Sequence, residues 1–104
     1  MTTGVLLQEV IDRCGTEHQL FQAAEELAEL TQAVSKYNRN PGPETRANLI
    51  EEMADVSIML RQIRIIADIS PVELAEVMDQ KLKRLEERLR VREQNPGGYS
   101  QGSF

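Results

Sequence analysis

The chain has 104 residues, 40% apolar and 28% charged, with two Tyr, two Phe and no Trp, which fits one globular domain with an aliphatic core. A net charge of −5 excludes a surface built to hold a nucleic-acid backbone, which needs a basic face. The single cysteine, Cys14, excludes an internal disulfide and suits a reducing compartment. The sequence shows no signal peptide and no apolar run long enough to cross a membrane, so the expected location is the cytoplasm.

No segment alternates apolar and polar residues over strand length, so the predicted class is all-α. The expected architecture is a four-helix bundle with helices over about 4–14, 17–38, 44–69 and 71–93. These form one domain over 1–94, followed by a flexible tail over 95–104. In the first helix Val5, Leu6, Val10, Ile11 and Cys14 recur at helical spacing. Gly15 is its expected stop, and Cys14 is expected as a small core residue at the helix end. Thr16 and Gln19 have capping-box spacing for the start of the second helix. That helix carries an apolar stripe of Leu20, Ala23, Leu27, Leu30, Val34 and Tyr37. Asn38-Arg39-Asn40-Pro41-Gly42-Pro43 is a dense breaker run and reads as a loop.

The third helix begins near Pro43 or Glu44. One apolar face runs through Leu49, Met53, Val56, Leu60, Ile63 and Ala67, and Ile58, Met59, Ile65, Ile66 and Ile69 widen it. A helix apolar on most sides is expected to be buried on most sides, which in so short a chain implies a partner subunit. Ser70-Pro71-Val72-Glu73 has a Ser cap, Pro at the first helical position and a Glu to close the capping box. The fourth helix then carries Val72, Ala75, Met78, Leu82, Leu85 and Leu89 in three- and four-residue steps. Asn95-Pro96-Gly97-Gly98 ends it.

Two carboxylate clusters stand out: Glu25-Glu26-Leu27-Ala28-Glu29 and, after 21 intervening residues, Glu51-Glu52-Met53-Ala54-Asp55. Each contains acids at i,i+3, Glu26 with Glu29 and Glu52 with Asp55, which share a helix face. Antiparallel packing of the two helices would bring four carboxylates to one spot, where their mutual repulsion calls for a cation. Neither cluster has Lys or Arg interspersed at i,i+4, as surface helices usually do. All-oxygen donors suit Mg²⁺, with Mn²⁺ as a substitute. Di-iron bundles need Glu-x-x-His motifs, which the sole histidine, His18, does not provide. Zinc prefers His and Cys ligands, and one of each four residues apart makes no site. His18 reads as a surface residue.

The pattern Glu-Glu-x-x-Glu, a gap of about twenty residues, then Glu-x-x-Asp on the second and third helices resembles the MazG-like nucleoside triphosphate pyrophosphohydrolases. The resemblance spans roughly 16–90 and rests most on Glu25–Leu30 and Glu51–Val56. It implies cleavage of a (d)NTP between the α and β phosphates into (d)NMP and pyrophosphate. Glu26, Glu29, Glu52 and Asp55 would hold one or more Mg²⁺, and Glu25 or Glu26 would be the general base. Members often carry Asn-x-Lys-x-x-Arg on the fourth helix. Here the stretch is Asp79-Gln80-Lys81-Leu82-Lys83-Arg84, which keeps Lys81 and Arg84 as phosphate donors and leaves Asp79 either a fifth ligand or a change in how substrate is held. Lys36, two turns after Glu29, is a further phosphate candidate. The nucleobase would lodge between the first helices, with Leu7, Phe21 and Gln22 as wall candidates. A homodimer or homotetramer is expected. The competing readings are a helical dimer serving as a protein-interaction module, and a non-catalytic nucleotide or metal sensor.

Overall fold

The computed structural model describes residues 1–94; the expected flexible tail, 95–104, lies outside the described residues. Four helices follow in order: α1 (Thr3–Cys14), α2 (Thr16–Arg39), α3 (Pro43–Ile66) and α4 (Pro71–Gln94). There is no strand among the described residues, so the chain is all-α with the expected number of helices. It divides into two compact units. One is Met1–Asp68, holding α1 to α3, and the other begins at Ile69 and holds α4.

Local chemistry explains most helix ends. Thr2 caps α1, its Oγ1 accepting from the Val5 N–H at 3.2 Å. Gly15 ends α1 as expected: its φ of 94° lies where only glycine is at ease, and its N–H donates to the Ile11 carbonyl at 2.8 Å. The same Gly15 is the N-cap of α2, and no side chain caps that end. The expected Thr16–Gln19 capping box is therefore absent: Thr16 is already helical, and the Gln19 amide is used in the core instead. Pro43 opens α3 at its first position, and the Thr45 hydroxyl accepts from the Gly42 N–H at 3.0 Å. Ser70 and Glu73 form the expected reciprocal box at the head of α4. The Ser70 N–H donates to Glu73 Oε2 at 2.8 Å and the Glu73 N–H to Ser70 Oγ at 3.1 Å.

Other expectations need correction as well. α3 stops at Ile66, three residues short of the predicted end at 69. Asp68 takes a left-handed φ of 53°, and its N–H closes a tight turn onto the Ile65 carbonyl at 3.2 Å. Pro71 also pushes Ser70 out of the helical region, so the chain must turn before it. Cys14 is exposed, not core. The inward stripe of α1 is Leu7 and Ile11, and Cys14 is the last residue of the helix, one turn beyond the buried part of that stripe.

In the first unit α2 and α3 form a hairpin across Asn40–Gly42, with α1 against both. The buried apolar residues are Leu7 and Ile11 of α1, Ala23 and Ala33 of α2, and Val56 and Met59 of α3. Buried with them are Gln19 and Gln62, whose side chains meet, Gln19 Nε2 donating to Gln62 Oε1 at 2.7 Å. The inward stripe of α2 thus runs Gln19, Ala23, Glu26, Leu30, Ala33 in alternating four- and three-residue steps. The predicted stripe is inward only in part: Ala23 and Leu30 lie on the inward face, whereas Leu20, Leu27, Val34 and Tyr37 are exposed. On α3 Val56 of the predicted face and Met59 of its widening are buried as expected, whereas Met53 and Leu60 of that face are 52% and 51% exposed. On α2 the buried residues are small or polar, whereas α3 buries Val56 and Met59 beside Gln62.

Candidate metal centre

The inward stripes carry the acids with them. Glu26 falls between Ala23 and Ala33 on α2, and Glu52 and Asp55 precede Val56 on α3. In an antiparallel pair, residue numbers of facing positions add to a constant. The Gln19–Gln62 bond therefore sets the register that puts Glu26 opposite Asp55, two turns along. One carboxylate oxygen from each of Glu26, Glu52 and Asp55 lies within 4.8 Å of the others.

Within this cluster Glu26 Oε2 and Glu52 Oε2 are shut off from solvent and accept no hydrogen bond. Carboxylate oxygens in that state are costly unless something positive meets them. No Lys or Arg among the described residues forms an ion pair with any of the three acids. The other oxygen of Glu26, Oε1, accepts from Gln22 Nε2 at 3.0 Å. That bond favours the ionised form, but desolvation and the charges of Glu29 and Asp55 outweigh it, and the Glu26 pKa is raised above 4.5. Gln22, one turn before Glu26, thereby holds one oxygen of that carboxylate and leaves the other, Oε2, without a partner. Its i,i+4 spacing to Glu26 was the available signal for that role.

Three carboxylate oxygens and no nitrogen or sulfur is the chemistry of a hard cation. An octahedral Mg²⁺ with ligands at about 2.1 Å places opposite oxygens roughly 4.2 Å apart. Adjacent ligand oxygens on such an ion are roughly 3.0 Å apart, and the three oxygens here lie within 4.8 Å of one another, so a bound cation would draw them inward.

The remaining sequence candidates fall in three places. Glu29, one turn beyond Glu26, is exposed and acts on the cluster by raising the Glu26 pKa. Glu25 is exposed and lies outside the trio, a helical step of 100° from Glu26. Lys36 is exposed near the far end of α2. Lys81 and Arg84 lie on α4, in the second unit, and are exposed. Asp79 is paired with Lys83 along that helix at 3.0 Å. Of the suggested pocket walls, Leu7 is core and Phe21 is 66% exposed. No helix among the described residues is long and apolar enough to cross a membrane.

The fold and site define a small all-α protein with a three-carboxylate centre between two antiparallel helices. Comparison with protein families, with curated proteins and with solved structures finds no match to the chain.

Proposed function

We propose that this chain is a Mg²⁺-dependent nucleoside triphosphate pyrophosphohydrolase of the MazG-like kind, working as a homodimer or homotetramer in the cytoplasm. The observation that carries the reading is the meeting of Glu26, Glu52 and Asp55 within 4.8 Å, with two oxygens sealed and unpartnered. The two acidic motifs that resemble the family are the segments that supply this trio. Glu26, Glu52 and Asp55 would hold the cation, with Glu29 at its edge. Bound there, Mg²⁺ supplies charge neutralisation of the triphosphate and polarisation of the phosphorus under attack. Water adds across the α–β anhydride, yielding monophosphate and pyrophosphate, and Glu25 or Glu26 takes the proton from that water. Gln22 holds Glu26 in position for either duty. Of the basic residues that the resemblance offers to the phosphates, Lys36 shares α2 with Glu26, whereas Lys81 and Arg84 belong to α4 in the second unit. The exposed Ile50, Met53, Ile58 and Leu60 of α3 support association of copies.

A second reading, an interaction module without catalysis, is favoured by α4, on which no residue is buried. Pyrophosphate release from a panel of (d)NTPs, with Mg²⁺ or EDTA, separates the two. Release that requires both the metal and Glu52, tested with Glu52→Gln, is the expected outcome. Folded, Mg²⁺-supplied protein that turns over none of the panel overturns the enzyme reading.

A further inference from the structure

The apolar residues Ala75, Met78, Leu82, Leu85 and Leu89 of α4 follow the alternating three- and four-residue steps of a two-stranded seam. Met78, Leu82 and Leu89 are 54%, 60% and 59% exposed. With Ala75, Leu82 and Leu89 at heptad position a and Met78 and Leu85 at d, the flanks sort by sign. Asp79, Glu86 and Glu93 take the e positions, and Lys81 and Arg88 take the g positions. Asp79 and Glu86 are ion-paired outward, to Lys83 and Arg90 of the same helix. Lys81 and Arg88 form no ion pair among the described residues.

This sorting decides an orientation. In a parallel pair each g residue faces the e residue of the next heptad across the seam. Lys81 then meets Glu86 of a second copy and Arg88 meets its Glu93, twice each by symmetry. In an antiparallel pair g faces g and e faces e, which sets lysine and arginine against each other and the three acids against one another. From this charge pattern we infer that α4 pairs in parallel with α4 of a second copy of this chain. The inference deepens the homo-oligomer part of the proposed function, on which it rests, and is independent of hydrolysis. It assigns Lys81 to the flank of the seam and leaves Arg84, at an outer c position, as the phosphate candidate of this helix. The seam ends where Arg92 occupies the next d position, so it spans two heptads.

The test uses the full chain carrying Cys14→Ser, with Met78→Cys or Leu85→Cys added singly, under mild oxidation. Parallel pairing in register brings each introduced thiol against its own copy, so both variants form covalent dimers. In an antiparallel pair only a position at the crossing point can do so. A residue seven places away would sit roughly 21 Å from its copy, well beyond the reach of a disulfide of about 7 Å between Cα atoms. Sedimentation over a dilution series supplies the second arm. Lys81→Glu with Arg88→Glu weakens association at least about tenfold, and adding Glu86→Lys with Glu93→Lys restores it. Crosslinking by one variant or neither, or charge reversal without effect, overturns the inference. A monomer, or a dimer held through the first unit, gives those results, and neither arm depends on nucleotide turnover.

Discussion

The Gln19–Gln62 pair is a polar contact in an apolar setting, and its energetics can be worked from its geometry. The two residues are 5% and 4% exposed and joined at 2.7 Å, Gln19 donating. Gln62→Leu removes the acceptor and leaves Gln19 Nε2 buried without a partner. Gln19→Leu strands Gln62 Oε1 in the same way. Each orphaned group costs about 1–3 kcal/mol, which for a unit of this size is roughly 4–8 °C of Tm per kcal/mol. The double substitution removes both polar groups together and places two leucines of similar length across the same gap, so its cost falls well below the sum of the singles. His18 Nδ1, 2.9 Å from Gln19 Oε1, is on an exposed residue and exchanges that bond for water. Urea unfolding of the wild type, both singles and the double, followed at 222 nm, gives the coupling energy directly. A coupling of about 1–3 kcal/mol is expected. Singles that add to within about 0.5 kcal/mol of the double would refute the premise that the two amides depend on one another.

Two further outcomes follow from the charged groups. Glu52→Gln relieves repulsion in the acidic trio, so without divalent cations the variant unfolds at a higher temperature than the wild type. The order inverts with Mg²⁺: at tenfold its Kd the wild type gains about 1.4 kcal/mol by mass action, and the variant gains little. Thermal unfolding with EDTA and with Mg²⁺ reads both, and a variant that loses stability in EDTA contradicts the repulsion. The Glu73 pKa lies below 4.5, held down by the Ser70 N–H and the Ser70 hydroxyl. The capping contribution is therefore complete above pH 4.5 and is lost as pH falls through the lower folded-state value. Amide shifts of Ser70 and Glu73 followed from pH 6 to 3 should show that step in the wild type and lack it in Ser70→Ala, which also costs about 1 kcal/mol of helix stability.

The sequence was most legible where one residue type does one local task. Gly15, the Pro-Gly run before α3 and Ser70-Pro71-Val72-Glu73 punctuate the chain, and the helices begin and end close to where these signals put them. Legibility failed at the α2–α3 contact. Periodicity follows the most apolar residues, so beside Ala23 and Leu30 it selected Leu20, Leu27 and Val34, whereas the inward stripe of α2 is completed by Gln19, Glu26 and Ala33. Nothing local says that a glutamine faces inward, because its partner is 43 residues away. The acidic trio was legible because i,i+3 pairs share a face whichever neighbours are buried. Its membership was not, since Glu26, Glu52 and Asp55 converge while Glu29 stays at the rim, a distinction set by the rotation of α2. The C-terminus of α3 was overextended because Ile69 continues the apolar pattern, and backbone geometry at Asp68 overrode it.

The two buried alanines of α2 act as a gauge for the chemistry beside them. Ala23 and Ala33 are 2% and 1% exposed and bracket Glu26 along the inward stripe, so their methyl groups set how near α3 can come. A larger side chain at either place would wedge the helices apart and spread the three oxygens, with no acid altered. The spacing of the three acids is written in part in residues that carry no polar side-chain atom, and a search confined to the acids would pass them by.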